Sequence, residues 1–121
     1  MRTRAGRRLT SLGVAVVSGA VLVACGSSGI PTDASLKAFC NAGQKFSTVT
    51  KFGDGVKAAD KLHDTGTPKG IPADARDGFE LVVQLVTDAK NQADLEKRYN
   101  KLTDKQKKSV NALDSYIAKS C

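Results

Sequence analysis

His63 is the only histidine in the 121-residue chain, and Asp60 and Asp64 stand beside it as D-x-x-H-D. On one helical turn these side chains could offer three ligating atoms to a cation. Zinc sites draw on further His or Cys ligands, which this segment lacks, so a polar helix edge one heptad after Val56 is the better reading. A nucleophile–base–acid triad meets the same difficulty. Ser and Asp are plentiful, but His63 is a single candidate base with no telling context. Paired carboxylates do acid–base work only where they converge in a cleft, and spacing does not establish that. Gly53-Asp54-Gly55 and Gly66 to Gly70 are short glycine-bearing turns that match no phosphate-cradling pattern. No Cys-x-x-Cys occurs, so a thioredoxin-like redox role has no support. The residue types give no catalytic residue, no metal site and no cofactor, and the expectation is a protein that is not an enzyme.

The cysteine with the clearest chemistry is Cys25. Arg2, Arg4, Arg7 and Arg8 open the chain, and no acid precedes Cys25. Leu12 to Ala24, LGVAVVSGAVLVA, carries no charge and is shorter than the roughly 20 residues of a spanning helix. A basic start, a short apolar middle and small residues at the end read as a secretory signal peptide over residues 1–24. A short buried helix is the alternative, but four arginines before it and Gly-Ser-Ser-Gly after it speak against that. Thr10 and Ser11 stand where a twin-arginine signal usually carries apolar residues, so general secretion is favoured over that route. Leu22-Val23-Ala24-Cys25 resembles the bacterial lipobox. That resemblance implies a diacylglyceryl group on the Cys25 thiol and cleavage between Ala24 and Cys25. The alternative is an ordinary secreted protein with Cys25 free or paired. Two fatty chains anchor a protein stably where one does not, so the expected location is the extracytoplasmic face of the cell membrane. Gly26 to Thr32, GSSGIPT, reads as a flexible linker that completes the segment 25–32 and reaches at most about 25 Å.

Removing the signal changes the electrostatics. The full chain has nineteen basic and twelve acidic residues, a net charge of +7; without the four arginines the net is +3. All of the excess lies after Ala93, where Lys97, Arg98, Lys101, Lys105, Lys107, Lys108 and Lys119 face four acids. A solvated helix face is the plain account of these residues. Contact with anionic headgroups or envelope polymers is the functional one. Nucleic acid is not an expected partner, because no aromatic residue interleaves the lysines and the compartment is wrong. Cys40 and Cys121 remain as an even pair in an oxidising compartment, so a disulfide is expected, with two free thiols as the alternative. Its loop of about 80 residues corresponds to roughly 4–5 kcal/mol in the chain-entropy account.

Residues 33–121 must supply the body that positions these groups. From Asp33 on, Leu36, Phe39, Cys40, Gly43 and Phe46 follow helical spacing. A second helix is expected over Asp54–Asp64, with Val56, Ala59 and Leu62 inward. Thr65 to Pro72 has two prolines and two glycines and reads as a loop. Pro72 suits the first position of a third helix that runs to about Lys90. Phe79, Val82, Val83 and Val86 make its stripe, widened by Leu81 and Leu85. Leu95, Tyr99 and Leu102 mark a fourth helix. Thr103-Asp104-Lys105-Gln106 reads as a capping box that starts a fifth, with Val110, Leu113 and Ile117 inward and Cys121 one step on. Both later cysteines therefore lie on apolar faces. No strand pattern appears. The expected fold is all-α, a small bundle of four to five short helices.

Gly66 to Phe79, GTPKGIPADARDGF, together with Phe39-Cys40 and the cysteine at 121, resembles small actinobacterial lipoproteins of unassigned function. The resemblance covers most of residues 33–121. It implies a helical, disulfide-closed extracytoplasmic domain and brings no catalytic residues. The expected role is a membrane-anchored binding or interaction module of the cell envelope that docks a protein, polymer or small ligand. A stabiliser or inhibitor of a neighbouring envelope protein is the second reading, and a small hydrolase the third.

Overall fold

The computed structural model describes residues 29–121. The signal segment, the Ala24–Cys25 cleavage point and the lipidation site at Cys25 lie outside the described residues. Five helices follow in order: α1 Leu36–Ser47, α2 Phe52–Thr65, α3 Ala73–Asp88, α4 Gln92–Asn100 and α5 Asp104–Ser120. No strand occurs among the described residues; a single parallel bridge joins Ala34 to Pro68. The expected all-α bundle is the observed one.

Local chemistry sets the helix boundaries. Ser35 begins α1 because its hydroxyl accepts the Ala38 N–H at 3.1 Å. The capping box at the start of α5 is complete: Gln106 N–H donates to the Thr103 hydroxyl at 3.1 Å, and Thr103 N–H donates to Gln106 Oε1 at 2.9 Å. Helix α2 starts at Phe52, two residues before the expected Asp54, from a Lys51 that makes no side-chain cap. Pro72 stands just outside α3 rather than in its first turn, and its carbonyl accepts the Arg76 N–H. Helix α3 stops at Asp88, short of the expected Lys90. Ala89 turns extended, and Asn91 then caps α4 by accepting the Asp94 N–H at 2.8 Å.

Phe39 of α1 and Phe79 of α3 meet at the centre with ring centroids 5.9 Å apart, and Tyr116 of α5 approaches Phe39 edge-on at the same distance. Ile30, Ala42, Leu62, Val83 and Leu113 close this core. Helices α3 and α5 approach so closely that Gly78 is obligatory. A Cβ there would collide with the backbone carbonyl of Ser109. Backbone cannot yield as a flexible side chain can, so the crossing excludes every larger residue.

The expected linker differs from the observed chain in its last three residues. Ile30 is 8% exposed and belongs to the core. Residues 30–34 lie along the α2–α3 loop, where Thr67 N–H donates to Pro31 O at 3.0 Å and Ala34 N–H donates to Thr67 O at 3.1 Å. Gly66 makes this approach possible. Its φ of +80° ends α2, and a Cβ would strike the Pro31 carbonyl. The packed body therefore starts at Ile30, and the segment available as a free linker is shorter than the sequence indicates.

Candidate functional site

Two features stand out: a half-buried arginine that fixes the first packed residues, and a mainly apolar furrow among the helices.

Arg76 projects from the first turns of α3 with its side chain 15% exposed. Its Nε donates to Glu80 Oε2 at 2.6 Å. Nη1 donates to Pro31 O at 2.9 Å and to the Thr67 hydroxyl at 2.8 Å. Nη2 donates to Ile30 O at 3.0 Å. One guanidinium thus satisfies two carbonyls of the 30–34 segment and the hydroxyl of the fully buried Thr67, while Glu80 balances its charge. A planar group with five fixed donors suits this task and a lysine does not. The two acceptors in the 30–34 segment are backbone atoms, so no pattern of side chains announced them.

The furrow has two lobes. The larger, about 630 Å³, lies between α1, α3 and α5, with Phe46, Val82, Leu113 and Ile117 among its lining residues. Its polar contributors are few: Asn41, Gln44, Ser47 and Asp114. The disulfide borders it, joining Cys40 to Cys121 with Cα atoms 5.5 Å apart. The second lobe, about 500 Å³, lies between α3 and α4 and is lined by Val82, Leu85, Val86, Leu95 and Tyr99, with Gln92, Glu96 and Asn100. Val82 lines both lobes. Tyr99 is 42% exposed, although its ring is large and apolar. No residue of α4 is buried; this helix covers its neighbour only from one side. Leu81 and Leu85, which widen the stripe of α3, are half-buried rather than enclosed. The extra width of that stripe was the trace of the furrow in the sequence.

The other sequence-derived candidates do not converge. His63 Nδ1 lies 3.5 Å from Asp64 Oδ1 on an open surface, with the two side chains 43% and 81% exposed. Among the described residues no group of three or more His, Cys, Asp or Glu side chains gathers where it could hold a metal ion. Of the basic residues after Ala93, Lys97, Lys101, Lys105 and Lys108 are exposed and Lys107 is half-buried. Arg98 donates to Asp94 Oδ2 at 2.9 Å. The Lys90 backbone N–H, donating to the same oxygen at 3.0 Å, and then Arg98 hold the Asp94 carboxyl below its ordinary range. This serves the start of α4 and brings no second acid alongside. No helix among the described residues is long and apolar enough to cross a membrane.

No family model, curated protein or solved structure matches the chain.

Proposed function

We propose that the protein is a membrane-anchored extracytoplasmic binding module, held by a lipid on Cys25 and docking its ligand or partner in the α1–α3–α5 furrow. The observation that carries this reading is the furrow itself. Its volume falls in the range of small-ligand sites, its floor is apolar, and a few amides and one carboxylate stand at its edge. Such a lining holds an apolar group and orients it, but offers no activated nucleophile or base. That favours binding over hydrolysis. The anchor is supported by the arginine-rich start, the short uncharged run and the Leu22-Val23-Ala24-Cys25 motif. The resemblance to small actinobacterial lipoproteins points the same way.

A photocrosslinking amino acid at Gln44, inside the larger lobe, tests this in intact cells. The same group at Asp60, which is exposed on α2 and lines neither lobe, is the control. Adducts that form at position 44 and not at 60 are expected. Equal yields at both positions would reject the furrow as the docking site.

A further inference from the structure

We infer that the furrow takes an acyl chain of a neutral or zwitterionic lipid from the membrane that holds the protein. The inference rests on the proposed anchor at Cys25 and names the ligand of the proposed site. Three observations carry it.

The first is the length of the leash. Arg76 and Thr67 fix Ile30 and Pro31 to the body. Only five residue steps separate Cys25 from Ile30, which span at most about 18 Å. A body of this size has a radius of gyration of about 12 Å. A linker free to Thr32 would reach about 25 Å, which already keeps the body near the bilayer, and the strapped one is shorter still. The strapped one keeps it against the lipid surface, where lipid is the most abundant apolar molecule.

The second is the lining. Most of the residues that line the two lobes are apolar, and Val82 lines both. A mainly apolar hollow of about 630 Å³ with few polar groups suits a flexible hydrocarbon chain better than a compact polar solute. The third is charge. Asp114 lines the larger lobe and Glu96 the smaller, and no Lys, Arg or His lines either. An anionic headgroup would meet carboxylates without a counter-charge, whereas an ester or hydroxyl finds donors and acceptors in Asn41 and Gln44. The lysines of the last two helices lie outside the furrow and do not alter this preference.

The test reconstitutes the lipidated full chain in phosphatidylcholine vesicles containing a small fraction of phosphatidylcholine with a diazirine at one acyl terminus. In the bilayer that terminus is buried, so residues merely resting on the surface escape it. Irradiation, digestion and mass spectrometry should place label on Asn41–Ser47 and Leu113–Ala118. Gly43→Leu fills the larger lobe: a Cβ at Gly43 meets only Ile117 Cδ1, at 4.0 Å, and the change replaces a poor helix former. It should lower furrow labelling at least ten-fold with no loss of thermal stability. Val82→Gln, which places an amide at the junction, should act likewise and serves if the first variant does not fold. The Cys25→Ala chain, added to the same vesicles, should still acquire furrow label. Label on that chain but not on the lipidated one would mean the protein's own anchor fills the furrow, overturning the assignment to a membrane lipid. A furrow unlabelled in both chains overturns it outright. Absence of lipid at Cys25 in cells would reject the anchor while leaving a labelled furrow standing, so the two readings fail separately.

Discussion

Arg76 shows how one side chain can join segments distant in sequence. It brings a donor to the Ile30 carbonyl and a second donor to the Pro31 carbonyl, which also accepts the Thr67 N–H, and taking donors from polar groups at the edge of the core is costly. Arg76→Met keeps the stem and removes the donors. It should cost about 2–3 kcal/mol in urea denaturation and should expose the chain near Pro31 to protease. Unchanged stability and protection would show that the strap holds without it. Asp94 gives a pH-dependent counterpart. Its folded pKa is lowered beneath the ordinary 3.8 by the Lys90 N–H and then by Arg98. Its contribution is therefore complete above that ordinary value and is lost as pH falls through the lowered one. NMR titration should find Asp94 protonating later than an isolated carboxylate as acid is added, with the first turn of α4 losing amide protection in the same step. Asp94→Asn should abolish that step. Neither arrangement was visible in the sequence. The acceptors that tie Arg76 to residues 30 and 31 are backbone oxygens, and Asp94 reads as one acid among twelve.

At the scale of elements, much was legible. Phe39, Cys40, Gly43 and Phe46 follow the face that α1 turns inward, whereas Leu36 at its start is 44% exposed, and the spacing of Val110, Leu113 and Ile117 does the same for α5. Thr103 and Gln106 formed the reciprocal cap that their types require. What stayed hidden depends on two elements meeting. Gly78 drew no comment from the sequence, yet it is the contact through which α3 and α5 close on each other. Gly78→Ala adds one carbon against the Ser109 carbonyl and should destabilise the bundle by about 1–3 kcal/mol, despite alanine's better helix propensity. A gain in melting temperature would contradict that crossing. Thr103→Ala removes only the cap and should cost about 1 kcal/mol. Ile30 was read as linker because it sits alone among Gly, Ser and Pro; only the groove between the α2–α3 loop and the core shows that it is buried.

At the scale of the molecule, the disulfide and the furrow act together. Cys40 and Cys121 tie the far end of α5 to the middle of α1 at the border of the larger lobe. Reducing the bond should lower stability by about 4–5 kcal/mol in the chain-entropy account, measured by denaturation with and without reductant. A difference below about 1 kcal/mol would mean that the helices hold the lobe by themselves. The furrow was legible only as an over-wide apolar stripe on α3, since a gap between helices has no residue of its own. The half-buried Arg76 that holds Ile30 and Pro31 to the body, and the mainly apolar furrow, are the observations on which the proposed anchored binding module rests. The tether is tested most directly by the mass of the amino-terminal peptide from the protein isolated out of cell membranes. We predict a peptide beginning at Cys25 with a diacylglyceryl group on its sulfur. A chain that still carries Met1 to Ala24 and bears no lipid would contradict the account.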